Sequence, residues 1–94
     1  MNENSLFSWD EEKNKSNIKK HGLSFTIAMH VFEDPLYIDI YDEEHSDDEE
    51  RHKIIGLVGG VVCVICVIDE IETRIISCRK ATKEEEKFYY DTTI

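Results

Sequence analysis

Two arginines near the C-terminal end of the sequence, Arg74 and Arg79, bracket a run of strand-forming residues in a chain of formal net charge -10. A guanidinium group is a planar fork of N–H donors, so it binds carboxylates or phosphates through two hydrogen bonds at once. Ion pairing with the chain's many carboxylates is the structural interpretation, and a shared anion site is the functional one. Residues five positions apart point to opposite faces of a straight strand. Both arginines therefore reach one site only if Arg79 lies past the strand end or a bulge intervenes.

A second group of polar residues lies at the end of the first expected helix, where His21 follows Lys20. The neighbouring lysine disfavours protonation of the imidazole, whereas the negative end of the helix dipole favours it. A capping or surface role and a general acid–base role for His21 both stay open. Lys13, Asn17 and Lys20 are spaced i, i+4 and i+7, so they form one polar stripe that faces either a ligand or water.

Cys63 and Cys66 have the CxxC spacing of redox and zinc sites. Strand residues three apart point to opposite faces, so we interpret both as buried core thiols. Cys78 is the only other cysteine, and no secretory signal precedes these residues, which favours a cytoplasmic protein without a disulfide framework.

The acidity of the chain is concentrated between Asp42 and Glu50, where seven of nine residues are Asp or Glu. The rest of the chain has a net charge of only about -3, so the total does not exclude contact with nucleic acid. A solvated loop is the favoured interpretation of this segment. A contact surface for a basic partner is an alternative, and a calcium or magnesium loop around His45 is a weaker one because regular ligand spacing is lacking. We expect no metal and no cofactor.

The length of 94 residues predicts one domain over 1–94 that buries roughly 60 to 65% of its unfolded surface. The longest apolar run, Val61 to Ile68, has eight residues. A membrane span needs about 20, so no membrane association is expected.

Local signals predict an α+β fold in the order β-α-α-β-β-β-β-α, with an antiparallel sheet, two N-terminal helices and a C-terminal helix. Asp10 is a good N-cap, Gly22 suits a helix C-terminus, and Thr82 with Glu85 forms a capping-box pattern. Ile18 and Trp9 are the candidate anchors for the side of the first helix opposite its polar stripe. The predicted strands are an edge strand over Ser5–Trp9 and strands over Leu36–Tyr41, Arg51–Val58, Val61–Ile68 and from Glu72 or Thr73 to Arg79. The predicted helices cover Glu11–Lys20, a segment from Ser24 to before Pro35, and a segment from Thr82 that carries Tyr89. The apolar face of the second helix is expected to comprise Phe25, Ala28, Met29 and Phe32.

Taken together, motifs along nearly the whole chain resemble the BrnT toxin family. Individually these motifs are weak, but their order and spacing are specific. They are Phe7-Ser8-Trp9-Asp10, Lys13, Asn17, Lys20-His21-Gly22-Leu23-Ser24-Phe25, Ala28, Val31-Phe32, Asp34-Pro35, His45-Ser46, Glu49-Glu50-Arg51, Ile55-Gly56, Arg74-Ile75-Ile76-Ser77, Arg79, Ala81-Thr82, Glu85 and Tyr89.

The resemblance implies a bacterial type II toxin with a RelE-like fold, a ribonuclease that halts translation. It also implies a BrnA-like antitoxin with a ribbon-helix-helix DNA-binding part, so that the complex would contact DNA only through the antitoxin. A metal-free ribonuclease lets the ribose 2′-hydroxyl attack the adjacent phosphorus, which needs a base, an acid and cations.

Residue roles follow from that implied chemistry as hypotheses. Arg74 and Arg79 would hold the phosphate and stabilise its developing charge. Lys20 and His21 are candidates for proton transfer or substrate clamping, and Glu85 or Tyr89 for a further acid–base or orienting group. Lys13 and Arg51 are expected to bind substrate.

Two other interpretations stay open. In the last helix this chain has Glu86 where family members often carry arginine, and the loss of a cation weakens RNA binding. The chain would then be a weak or inactive toxin-like protein that acts mainly as an antitoxin-binding co-repressor. The third interpretation is an unrelated α+β domain whose arginines are structural.

Overall fold

The computed structural model describes residues 6–45 and 49–93, and it has the predicted order of elements. Ser5 of the first predicted strand and residues 46–48 of the acidic segment lie outside the described residues. The elements are β1 (Leu6–Ser8), α1 (Glu11–His21), α2 (Phe25–Val31), β2 (Ile38–Tyr41), a 3-10 turn (Glu43–His45), β3 (His52–Val58), β4 (Gly60–Ile68), β5 (Glu72–Lys80) and α3 (Lys83–Thr93).

The described strands form one five-stranded sheet in the order β1-β5-β4-β3-β2. Strands β2 to β5 are an antiparallel meander, as predicted. Strand β1 is an edge strand, also as predicted, but it runs parallel to β5, with Ser8 opposite Arg74. Its pairing ends there, so the remainder of β5 needs another partner along that edge.

The two faces of the sheet carry separate apolar clusters. On the face that we call the α2 face, β-strand residues such as Ile54, Val64 and Cys78 pack against α2. On the opposite face, the α3 face, Ile55, Cys63 and Ile65 pack in one cluster with Tyr89 of α3. The α2 face therefore holds the larger part of the core.

Helix α1 has the predicted caps, but only one of its two candidate anchors is packed. The Asp10 carboxylate accepts hydrogen bonds from the backbone of Glu12 at 2.8 Å and Lys13 at 3.3 Å, and Gly22 closes the helix with φ 73°. Trp9, just before the helix, is half-buried and packs against the core cluster of the α2 face. Ile18 is 44% exposed, so the prediction that it anchors α1 was wrong. Two asparagines are buried instead, because α1 packs against the polar edge of a strand.

Helix α2 begins at the predicted cap, Ser24, and ends earlier than predicted. Its buried residues are Phe25, Ala28 and Val31, whereas Met29 is only half-buried. The predicted apolar face was thus partly right. The difference arises because the helix packs on several strands at once, which turns Val31 toward the sheet.

The CxxC prediction is confirmed: Cys63 and Cys66 are both fully buried and lie in different clusters, one on each face of the sheet. Burial raises the pKa of Cys63 to about 11 and that of Cys66 to about 12. At neutral pH both are therefore protonated core thiols.

Strand β3 passes so close to α2 that it has no room for a side chain at Gly56. A Cβ built there would lie 2.8 Å from Val31 Cγ1 and 3.2 Å from Tyr37 Cβ. We expect Gly56→Ala to lower the free energy of unfolding by about 1–3 kcal/mol, because a packed core resists added volume. Urea denaturation measures this. Gly60→Ala is the matched control, since nothing lies within 4 Å of its Cβ position; equal effects of the two changes would contradict the prediction.

Candidate active site

A bulge in β5 places the two arginines on the same face of the sheet. Ile65 of β4 lies opposite Ser77, but the next residue, Cys66, lies opposite Ile75, so Ile76 is an extra residue in β5. Arg79 lies opposite Cys63. Arg74 lies opposite Val67, which alternation along β4 places on the face of Cys63. The bulge reverses the parity of a straight strand, so both arginines lie on the α3 face.

Arg79 is held by a bidentate ion pair with Glu85 of α3. Arg79 Nη1 lies 2.7 Å from Glu85 Oε1, and Nη2 lies 3.0 Å from Oε2. Lys53 of β3 reaches the same carboxylate, with 3.2 Å between Nζ and Oε2. The side chain of Glu85 is 13% exposed, and that of Arg79 is 29% exposed. The sequence analysis did not include Lys53 among the site residues. Lys53 is two positions from Arg51, so strand alternation could have placed both on the same face.

The predicted capping box orients Glu85 toward this cluster. The backbone N–H of Thr82 donates to Glu85 Oε1 at 2.9 Å, and the N–H of Glu85 donates to Thr82 Oγ1 at 3.1 Å. Burial alone would raise the pKa of Glu85, but hydrogen bonds from Arg79, Thr82 and Lys53 lower it to about 2. The carboxylate is therefore ionised at neutral pH, which favours an orienting role over a proton-transfer role.

Ionised Glu85 makes a testable contribution to stability. Its pKa is lowered from 4.5 to about 2, so its stabilisation is present above pH 4.5 and is lost as the pH falls toward 2. We expect the difference in unfolding free energy between the wild type and Glu85→Gln to shrink over that window. Urea denaturation at a series of pH values measures it, with Glu84→Gln as the control from the same helical turn. A difference that stays constant from pH 7 to 2 would contradict this explanation.

Tyr89 lies in the core rather than at the arginine cluster. It is 3% exposed, and its hydroxyl donates a hydrogen bond to Asp34 Oδ2. That oxygen also accepts the Leu57 N–H at 2.8 Å. Asp34 therefore joins α3 and the end of β3 to the connection between α2 and β2. Burial and the neighbouring carboxylate raise the pKa of Tyr89 to about 12. These contacts favour a structural role for Tyr89.

Arg74 lies farther along β5 and pairs with the acidic segment. Its Nη2 lies 2.5 Å from Glu49 Oε1, and the two side chains are 38% and 40% exposed. An ion pair this open to water contributes little to stability and is easily exchanged. The favoured interpretation of the segment as a solvated loop is thus incomplete, since Glu49 binds Arg74 and Asp42 is buried.

Arg51 belongs to the same face by alternation with Lys53. The backbone N–H of Asp42 donates to Arg51 O at 2.9 Å, which extends the β2–β3 pairing by one residue. The Arg51 side chain is half-buried. Among the described residues of β3 and β5, the α3 face thus carries four cationic side chains. Arg51 and Arg74 belong to one end of the sheet, and Lys53 and Arg79 lie against the start of α3.

Lys13, Lys20 and His21 lie in a different but adjacent place. They line a cleft of about 210 Å³ between α1 and β5, together with Ser16, Asn17, Ile76 and Ser77. None of the described residues that line it is a carboxylate. The β5 wall of this cleft is the bulge itself, between Arg74 and Arg79 in the chain. The structure therefore gathers the three α1 residues and brings them to the strand that carries both arginines.

Asn17 holds α1 against the edge of β5 where β1 has ended. Its Nδ2 donates to Cys78 O and to Leu23 O, both at 2.8 Å, and its Oδ1 accepts the Cys78 N–H at 3.2 Å. One amide side chain thus pairs with the N–H and the C=O of Cys78, as a neighbouring strand would. Asn14 acts similarly by accepting the Phe25 N–H at 2.8 Å. The polar stripe predicted for α1 is therefore divided between a buried amide and exposed cations.

In residues 6–45 and 49–93, no group of three or more His, Cys, Asp and Glu side chains is arranged to bind a metal ion. None of the helices in that part of the chain has the length and apolar character that crossing a membrane requires.

A family model of the ribonuclease toxin BrnT of type II toxin-antitoxin systems matches residues 9–85. The chain belongs to the BrnT family. The crystal structure of the Brucella abortus ribonuclease toxin BrnT is similar to this fold, with a TM-score of 0.64 and 25% sequence identity. That match covers 84% of this chain and 97% of the Brucella protein. No curated protein matches the chain in sequence. The BrnT match ends at Glu85, so it includes both arginines and the α1 residues but not the rest of α3.

Proposed function

We propose that this BrnT-family protein is a metal-independent endoribonuclease toxin of the cytoplasm that inhibits translation and is neutralised by a BrnA-like ribbon-helix-helix antitoxin. The toxin would contact DNA only through that antitoxin. The observation that carries the catalytic proposal is the bulge at Ile76, because it gives Arg74 and Arg79 a common face beside the α1 cleft.

Arg79 can bind a phosphate while its guanidinium group remains paired with Glu85. Nη1 donates to Glu85 and, at 3.2 Å, to Lys80 O, and one Nη2–H donates to Glu85. The Nε–H and the second Nη2–H have no hydrogen-bond partner among the described residues. These two donors form one edge of the guanidinium group, which matches two phosphate oxygens. Glu85 is then a positioning residue that presents this edge.

The remaining roles divide between the two neighbouring places. Arg79 and Lys53 would stabilise the charge that develops on the scissile phosphate, since fixed cations lower the energy of a dianionic transition state. Arg74 and Arg51 would hold an adjacent phosphate of the RNA backbone. Lys20 and His21 would clamp the substrate or transfer protons, with Lys13 as a further backbone contact.

The reaction that we propose is attack of a ribose 2′-oxygen on the adjacent phosphorus, with departure of the 5′-oxygen and return of a proton to it. The products are a 2′,3′-cyclic phosphate and a 5′-hydroxyl. Incubation of the purified protein with RNA in excess EDTA, followed by analysis of the ends, tests this. Cleavage that requires added Mg²⁺, or that leaves 5′-phosphates, would contradict the mechanism.

A second candidate function is a weak or inactive toxin that serves mainly as an antitoxin-binding co-repressor. The observation in its favour is that acids already pair with cations on the α3 face: Glu85 with Arg79 and Lys53, and Glu49 with Arg74. RNA must compete with those carboxylates. Induced expression that leaves growth unchanged, together with intact antitoxin binding, would favour this function over the first.

A further inference from the structure

An apolar groove lies between α3 and the strands β2 and β3, directly beside the Arg79 cluster. Its volume is about 450 Å³, and its lining comprises Ile40, Lys53, Ile55, Thr82, Glu84, Glu85 and Phe88. Phe88 is 46% exposed at its rim. The groove therefore offers one half-buried aliphatic side chain, Ile40, and one aromatic ring to a partner, since Ile55 is only 1% exposed.

The charges of the groove select the chemistry of that partner. Two carboxylates, Glu84 and Glu85, line it against one ammonium group, Lys53, which already pairs with Glu85. Glu86 adds another negative charge to the same helical turn. Away from the Arg79 cluster, around Glu84, this lining favours lysine and arginine side chains over a polyanion such as RNA.

We propose that this groove binds a basic amphipathic segment of the antitoxin, with apolar side chains on Ile40 and Phe88 and with lysine or arginine beside Glu84. This inference rests on the antitoxin part of the proposed function. The charge of the whole chain, -10, is complementary to such a partner. Apolar anchors that fill a pocket, with charges at its rim, are the usual arrangement of protein interfaces.

Neutralisation follows from the position of the groove. Lys53 and Glu85 belong both to its lining and to the ion-pair cluster of Arg79. A segment bound there lies over the start of α3 and covers the approach of a phosphate to Arg79. Antitoxin and RNA would therefore compete for the protein.

Two aromatic side chains of α3 give a matched test. Phe88 lines the groove, whereas Tyr90 does not, and they are 46% and 47% exposed. With the full-length antitoxin encoded beside the toxin gene, we expect Phe88→Ser to weaken binding at least about tenfold and Tyr90→Ser to change it less than about twofold. Glu84→Lys should also weaken binding. Calorimetric titration measures affinity, and RNA cleavage by each free variant should stay at the wild-type level.

The outcomes separate this inference from the proposed ribonuclease. Equal effects of the two serine changes on antitoxin binding would overturn the groove as the docking site. Unchanged antitoxin binding with a shifted cleavage pattern would also overturn it, because Phe88 would then stack on an RNA base. Retained cleavage without antitoxin binding would end the inference and leave the ribonuclease intact. Absence of RNA cleavage together with the expected binding pattern would contradict the ribonuclease and leave this inference intact.

Discussion

Replacement of Arg79 by alanine should lower the rate of RNA cleavage by roughly 100- to 1,000-fold, which is the effect of removing a preorganised donor to a developing oxyanion. Arg79→Lys should retain part of the activity, because an ammonium group keeps the charge but not the two-donor edge. Single-turnover cleavage of a defined RNA measures both variants. Wild-type activity in Arg79→Ala would contradict the proposed role.

Two controls show whether Arg79→Ala lowers cleavage through the reaction itself, through the loss of a positive charge, or through the loss of stability. Lys87→Ala removes an exposed cation that pairs with Asp91 at 2.6 Å on α3, and we expect it to leave cleavage unchanged. Arg79→Ala also leaves the half-buried Glu85 with Lys53 as its remaining ion-pair partner, so the melting temperature is measured in parallel. The pair Arg79→Ala with Glu85→Gln should recover stability but not activity.

Replacement of Asn17 by alanine should lower the free energy of unfolding by about 2–4 kcal/mol. The change removes three hydrogen bonds and leaves the buried N–H and C=O of Cys78 without these partners. Because α1 would no longer be fastened to β5, the cleft that holds Lys20 and His21 should also loosen, and cleavage should fall. Urea denaturation measures the stability, and cleavage is assayed at a temperature where the variant is folded.

Ser16→Ala is the neighbouring control for Asn17→Ala. Ser16 is exposed on the same helix and lines the same cleft, but it makes no contact comparable to those of Asn17. Its replacement should change the unfolding free energy by less than about 0.5 kcal/mol. A loss below that limit in Asn17→Ala itself would show that the bond to Cys78 is not what holds α1.

Much of the fold could be predicted because its signals are local. Asp10 and Gly22 bound α1, and Thr82 with Glu85 starts α3, since caps involve residues two to four positions apart. The four-strand meander follows from short apolar runs separated by turns. The prediction that Ile18 anchors α1 was wrong for the opposite reason: the buried asparagines have no apolar pattern, and Asn17 bonds to the backbone of Cys78, 61 positions away.

The sequence named candidate site residues, but it did not predict how they are placed relative to one another. The resemblance to the BrnT family pointed to Arg74, Arg79, Lys20 and His21, and the family model that includes them matches the chain. It did not distinguish Glu85, which positions Arg79, from Tyr89, which is bonded to Asp34 in the core. Both residues lie on α3, and only the packing of that helix on the sheet separates their roles.

The sequence by itself determined the order of the elements, the helix caps and the family, and it supplied the residues that we propose to bind a phosphate. Only the tertiary structure decided whether Arg74 and Arg79 share a face. Their five-residue separation predicts opposite faces, and the one extra residue at Ile76 reverses that result. The physical reason is that a bulge is a property of two strands: it depends on the register of β5 against β4, which no stretch of β5 alone specifies.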